Sequence, residues 1–174
     1  MGPGKVRSNA GVTVNSNVSS ERSDTMSEHK FLKHLREDHA EQKKRGKKLI
    51  EARGPQERSQ LRKQLHESLY PHMVGEEVSI FQRITQAADE EVRDHGLEGL
   101  QEHHVAKIVL REIMDLDPES KIFKAKSKVL VELNKHHTEE EEGKIFKHLR
   151  KLCDDQELDR LFEQYEKGEK GAKS

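Results

Sequence analysis

Apolar and polar positions over residues 28–152 recur with a helical period and fall into four long segments. In the first, Leu32, Leu35, His39, Gln42, Gly46, Leu49 and Arg53 follow at steps of three and four, which makes one continuous helix face. Thr25 to Glu28 matches a capping box ahead of it. Gly54-Pro55 ends that helix and opens the next, because Gly suits a helix C-terminus and Pro a first turn. The second helix spans roughly residues 56–87, with Leu61, Leu65, Leu69, His72, Glu76, Ile80 and Arg83 on one face. Pro71 predicts a kink just before His72. Polar residues 88–96 read as a connection, and a third helix runs to about Leu116 with Leu97, Leu100, His104, Ile108 and Arg111 inward. Asp117-Pro118 resembles the cap and first-turn proline of a fourth helix ending near Leu152. Its stripe is Phe123, Lys126, Leu130, Leu133, His137, Glu141 and Ile145. A short helix from Asp155 to about Tyr165 is expected after it, with Leu158, Leu161, Phe162 and Tyr165 on its apolar edge and a frayed end beyond.

The stripes repeat. His39 returns as His104, His72 as His137, Glu76 as Glu141 and Phe81 as Phe146, each 65 positions on. A repeat that keeps histidines and glutamates in register repeats a site as well as a packing face. His-x-x-x-Glu sets both side chains on one helix face, a turn apart. From His39 to the end of the first helix is about 14 residues, roughly 21 Å, and from Gln56 to His72 about 16, roughly 24 Å. A tight antiparallel turn therefore returns His72 to the level of His39. In the second half the arms are about 13 and 19 residues, which asks for a longer connection or an overhanging helix. A lone inward histidine is ordinarily a satisfied core residue. Four imidazoles and two carboxylates on four inward stripes are costly to bury without a cation. His39, His72, Glu76, His104, His137 and Glu141 are thus candidate ligands of a dinuclear centre; His103 and His136 adjoin two of them and are the alternatives, with the 65-residue register favouring His104 and His137. Imidazole donors exclude magnesium and calcium and favour a transition metal. Glu77 and Glu142, one residue past the carboxylates, read as groups that orient imidazoles.

Composition narrows the class. The chain has 174 residues, enough for one domain, and is 31% hydrophobic and 37% charged, so the core is small. With only 4 prolines and 4% aromatics it reads as all-α. Residues 1–24 read as a disordered leader, 25–153 as the helical domain, and 154–174 as the short helix and tail. A net charge of -1 gives no field for nucleic acid or an acidic membrane, and no apolar run is long enough to span a bilayer. The single cysteine, Cys153, rules out an internal disulfide, and a cytoplasmic location is expected.

Asp38-His39, His72-Met-Val-Gly-Glu76-Glu77, Glu102-His103-His104 and His137-Thr-Glu-Glu-Glu141 together resemble the hemerythrin-like, or HHE cation-binding, family over about residues 28–152. The resemblance implies an up-down-up-down antiparallel four-helix bundle, to which the short C-terminal helix is added. It also implies two non-haem iron ions with an oxo or hydroxo bridge. The four histidines would be terminal ligands and Glu76 and Glu141 would bridge. Oxygen-carrying animal members have a further histidine one turn from the helix-3 ligand, where this chain has Leu100 and Ile108. The pattern is therefore closer to microbial and regulatory members linked to sensing or handling oxygen, iron, nitric oxide or peroxide.

The leading expectation is a binding protein whose di-iron centre binds or senses dioxygen or a related small ligand, with Leu65, Leu100, Ile108 and Leu130 excluding water. The alternative is an enzyme that consumes peroxide or nitric oxide or oxidises ferrous iron. The sequence offers no clear proton donor for that, since Tyr70 lies only two residues before His72. A third reading is regulatory, with metal occupancy controlling fold stability and a partner's access.

Overall fold

The computed structural model describes residues 1, 2 and 28–173. The predicted leader therefore lies outside the described residues apart from its first two, as do three of the four capping-box residues. The described regular structure is entirely helical and forms five helices. Helix α1 is Lys30–Glu51. Helix α2 begins as Pro55–Glu76, widens into a π-helical turn at Glu77–Phe81 and ends with Gln82–Ile84. Helix α3 is Glu90–Asp115. Helix α4 runs as Phe123–Glu140, widens at Glu141–Ile145 and ends with Phe146–Leu152. Helix α5 is Asp155–Ala172.

The helix starts follow from local chemistry. The His29 Nδ1 accepts from the Phe31 N–H, Asp89 accepts from Val92 N–H at 3.1 Å, and Asp154 accepts from Glu157 N–H at 2.8 Å. Each satisfies a donor that the first turn leaves unpaired. Pro55 occupies the first turn of α2, where its missing N–H costs nothing. The helix continues through Pro71, which is buried.

Three expectations are corrected. The connection before α3 is not residues 88–96, because Asp89 caps a helix that starts at Glu90. Asp117-Pro118 does not open α4. Asp117 instead closes a turn, accepting from Glu119 N–H on its side chain and from Ser120 N–H on its carbonyl, and α4 starts at Phe123. This longer connection removes the unequal arms predicted for the second half. Finally, α5 is not short or frayed after Tyr165, since it runs to Ala172 on a buried edge of Leu158, Leu161 and Tyr165.

Helices α1, α2, α3 and α4 pack in a closed ring, each on its two neighbours, and α5 lies against α2. Two apolar clusters fill the interior. One gathers Phe31, Leu35, Ile80, Phe81, Ile84, Phe146, Leu149, Leu158 and Tyr165. The other gathers Leu49, Leu65, Leu69, Met73, Leu110, Ile113, Phe123 and Leu130. Between them, along every helix of the ring, lie buried polar residues: His39 and Gln42 on α1, His72 and Glu76 on α2, His103 on α3, and Asn134, His137 and Glu141 on α4. A polar layer sealed between two apolar ones must satisfy its groups internally. Among the described residues no helix is long and apolar enough to cross a membrane.

The inward face of α3 differs from the predicted one. Gly96, Gly99, His103, Ala106, Leu110 and Ile113 are buried, while Leu97, His104 and Ile108 are exposed and Leu100 is half-buried. Small residues mark that face because α2 presses on it. A Cβ on Gly99 would sit 2.4 Å from the Phe81 ring, and one on Gly96 would sit 2.6 Å from Ile84 Cγ2. Counting only bulky residues rotates the face by one position. On α4, Ser127 and Asn134 are buried where Lys126 and Leu133 were expected, and those two are half-buried. At the stripe ends, Arg53 is exposed and Arg83 reaches out to Glu157 and the Leu152 carbonyl.

Candidate metal centre

The polar layer brings together His39, His72, Glu76, His137 and Glu141, as the spacing predicted, with His103 in place of His104. His103 is 1% exposed, whereas His104 faces solvent. The six side chains come from four helices. His72 and Glu76, and again His137 and Glu141, share a face at i and i+4. Both carboxylates stand where the helix widens, at the edge of the π-helical turns Glu77–Phe81 and Glu141–Ile145. Such turns recur at functional sites because the extra residue re-aims the side chains around it.

The ring nitrogens converge in pairs. His39 Nε2 lies 3.1 Å from His72 Nε2, and His103 Nε2 lies 2.9 Å from His137 Nε2. Glu76 spans the pairs, with Oε1 2.8 Å from His72 Nε2 and Oε2 3.3 Å from His103 Nε2. Glu141 Oε2 lies 3.4 Å from both His39 Nε2 and His137 Nε2. Yet all four carboxylate oxygens of Glu76 and Glu141 are buried with no hydrogen-bond partner among the described residues. Close approach without hydrogen-bond geometry means these oxygens point at a shared space rather than at the imidazole N–H groups.

The outer ring nitrogens explain why. Glu142 Oε1 lies 2.9 Å from His39 Nδ1, Glu77 Oε1 3.1 Å from His103 Nδ1 and Glu102 Oε2 2.8 Å from His137 Nδ1. A carboxylate only accepts, so each of these Nδ1 atoms carries the proton. His72 Nδ1 donates to the Tyr165 hydroxyl at 2.8 Å, which donates to Asp38 Oδ2 at 2.9 Å. Neutral imidazoles protonated on Nδ1 leave four Nε2 lone pairs facing inward. Lone pairs about 3 Å apart repel unless a cation lies between them, and two donors bound to one ion at about 2.1 Å and a right angle are separated by about 3 Å. Support of this kind fixes ring tautomer and orientation at metal sites.

Two buried groups could hold a metal ion, His39 with His72 and Glu76, and Glu76 with His103 and His137; in each the donor atoms lie within 4.8 Å of one another. A third group, Glu102, His136 and Glu140, is partly exposed, and His136 itself faces solvent. Without a metal, protons are the only available counter-charge. Burial is the largest influence on His72 and lowers its pKa, but the negative charge of Glu76 and the nearby Asp38 carboxylate outweigh it and raise the value to about 9. His137 is likewise lowered by burial and raised on balance to about 10 by Glu102 and Glu141. Glu76 is pushed up by burial but held well below the carboxylate range by the His72 charge and by His103 and His39.

Two rings of the first apolar cluster close one side of the layer. Phe81 packs edge-on against His103, with centroids 5.1 Å apart, and Phe146 stacks on His39 at 6.3 Å. Of the expected water-excluding residues, Leu65 and Leu130 are buried but Ile108 is not.

Asp38, Glu102 and Tyr165 were not anticipated as part of the site. For the carboxylates a signal was present, because an acid directly precedes the inward histidine in both Asp38-His39 and Glu102-His103. On that pattern α1 and α3 repeat at 64 positions, while α2 and α4 repeat at 65. Tyr165 had no such signal, since its position depends on how α5 folds back on α2. Comparison of the chain with protein-family models, curated proteins and solved structures finds no match.

Proposed function

We propose that the six buried side chains hold a dinuclear non-haem iron centre that binds or senses dioxygen or a related small ligand. The scaffold is read as an up-down-up-down antiparallel four-helix bundle of hemerythrin-like type, with α5 packed on its outside. The observation that carries this reading is the convergence of four Nε2 atoms with four carboxylate oxygens that have no hydrogen-bond partner among the described residues, in a buried layer. In such a set His39, His72, His103 and His137 would hold the metal through their inward nitrogens, and Glu76 and Glu141, each with two oxygens, would supply the carboxylate donors. Iron bound there would supply reversible binding or one-electron chemistry toward a small oxygen-derived ligand.

The chain's own residues set the conditions. Glu77, Glu102 and Glu142, and the Tyr165–Asp38 pair, hold each imidazole by its outer nitrogen and so keep Nε2 aimed inward. Lys107 pairs with Glu77, and Arg36 with Glu142, which anchors two of those carboxylates from the surface side. Phe81 and Phe146 restrict water. The Tyr165 hydroxyl lies behind the His72 ring, on the side away from the converging nitrogens, so it orients His72 and is not placed to deliver a proton to a bound ligand. That favours binding or sensing over turnover.

Metal analysis and an ultraviolet–visible spectrum of aerobically purified protein test the reading. The expected result is about two irons per chain, with charge-transfer absorption in the near ultraviolet that shifts on adding azide. Failure to retain any transition metal after anaerobic reconstitution with ferrous iron would overturn it.

A further inference from the structure

A second site adjoins the polar layer. One and two turns before His72, α2 presents Leu69 and Leu65, and at the same steps before His137, α4 presents Asn134 and Leu130. Beyond His39, α1 presents Gln42 and Gly46. These six residues line one cavity of about 230 Å³. At 1.5 Å per residue, it begins about 4.5 Å along the helices from the histidines and reaches about 10 Å away. An apolar cavity of about 150 Å³ suffices to bind benzene.

Leu65, Leu69, Leu130 and Val131 give the cavity aliphatic walls, and Gln42 and Asn134 form its polar side toward the donor layer. Gln42 is 2% exposed, and its Oε1 accepts from Asn134 Nδ2 at 3.4 Å, but its Nε2 has no hydrogen-bond partner among the described residues. A buried donor left unpaired is costly and uncommon in folded proteins. Here it belongs to a side chain that lines the cavity. Lys43, Lys135 and Glu139 also line it, where α1 and α4 approach the surface.

We propose that this cavity binds a small neutral molecule with an apolar body and one carbonyl oxygen that accepts from Gln42 Nε2. The aliphatic walls take the body. The unpaired N–H selects an acceptor. A charged head is disfavoured at that depth because Glu76 and Glu141 lie in the neighbouring layer and desolvation is large. The site uses no metal donor and forms without a metal.

The test is an NMR titration of the full chain, metal-free and iron-loaded, with acetophenone, ethylbenzene and benzoate, read at the methyl groups of Leu65, Leu69, Leu130 and Val131. Acetophenone is expected to bind saturably and about tenfold more tightly than ethylbenzene, as one neutral hydrogen bond allows. Gln42→Leu should bring that ratio close to one. Val131→Phe, at a half-buried position beside the cavity, should weaken both ligands. No saturable shift with either neutral ligand, a ratio unchanged in Gln42→Leu, or tighter binding of benzoate than of acetophenone would each overturn the proposal. If Val131→Phe does not fold, the Gln42→Leu ratio still decides. Because the titration is also run metal-free, a failure to bind iron does not affect its outcome.

Discussion

Each inward nitrogen depends on a carboxylate one residue away from a donor on another helix. Asp38 adjoins His39 yet serves His72 through Tyr165, Glu77 adjoins Glu76 yet serves His103, Glu102 adjoins His103 yet serves His137, and Glu142 adjoins Glu141 yet serves His39. Adjacent residues on a helix point about 100° apart, so one faces the layer while the next reaches a neighbouring helix. This arrangement separates His103 from His104. His103→Ala should reduce bound iron from about two per chain to one or fewer, while His104→Ala, at a solvent-facing position, should leave the content unchanged; metal analysis of the two variants distinguishes them. Tyr165→Phe keeps the ring in its pocket and removes only the hydroxyl between His72 and Asp38. A drop in metal affinity of about tenfold is expected from loss of such support, with circular dichroism showing unchanged helix content.

At the scale of elements, glycines decide how closely helices approach. Gly99 on α3 receives the Phe81 ring, which in turn packs against His103 and His137, so the ring cannot swing aside without disturbing two donors. Gly99→Ala should destabilise the protein by about 1–3 kcal/mol, the usual cost of overpacking, as measured by denaturant unfolding. Leu97→Ala, on the exposed side of the same helix, should change stability by less than about 0.5 kcal/mol. Similarly, a Cβ on Gly75 would lie 2.9 Å from the Tyr165 carbonyl and 2.7 Å from its ring, so the seat of α5 on α2 requires glycine there. The thiol of Cys153, at the end of α4, is buried and pushed up to about 11, chiefly by that burial, which makes it a poor nucleophile.

For the whole molecule, the layer of six donors is a charge problem that protons or metals can solve. In the metal-free protein the raised values for His72 and His137, about 9 and about 10, mean that their contribution to stability is fully present below the unfolded value near 6.5. It is lost as pH rises through about 9 to 10. The melting temperature of the metal-free protein should therefore fall across that window. A metal bound as proposed would compete with those protons for Nε2, so the extra stability it confers should grow as pH rises from 5 to 8. Melting curves with and without iron from pH 5 up through about 10, the higher of the two raised values, check both slopes, and an increment independent of pH would count against ligation through these histidines.

The sequence by itself determined the helices of the ring, the inward stripe of α1, and five of the six histidine and glutamate side chains that meet in the buried layer, because a helical period and a His-x-x-x-Glu spacing are local properties of a chain. The acid-histidine pairs Asp38-His39 and Glu102-His103 also carried the shift from 65 to 64 positions, although bulky residues such as Leu97 and Ile108 pointed to the wrong face of α3. Only the tertiary structure decided that face, because Gly96 and Gly99 are inward for what they admit, namely Ile84 and Phe81. It likewise decided that Tyr165 supports His72 from 93 positions away and that a cavity opens beside the donors. Those depend on how α5 settles on α2 and on how α1, α2 and α4 fill the space between them, which no single helix specifies.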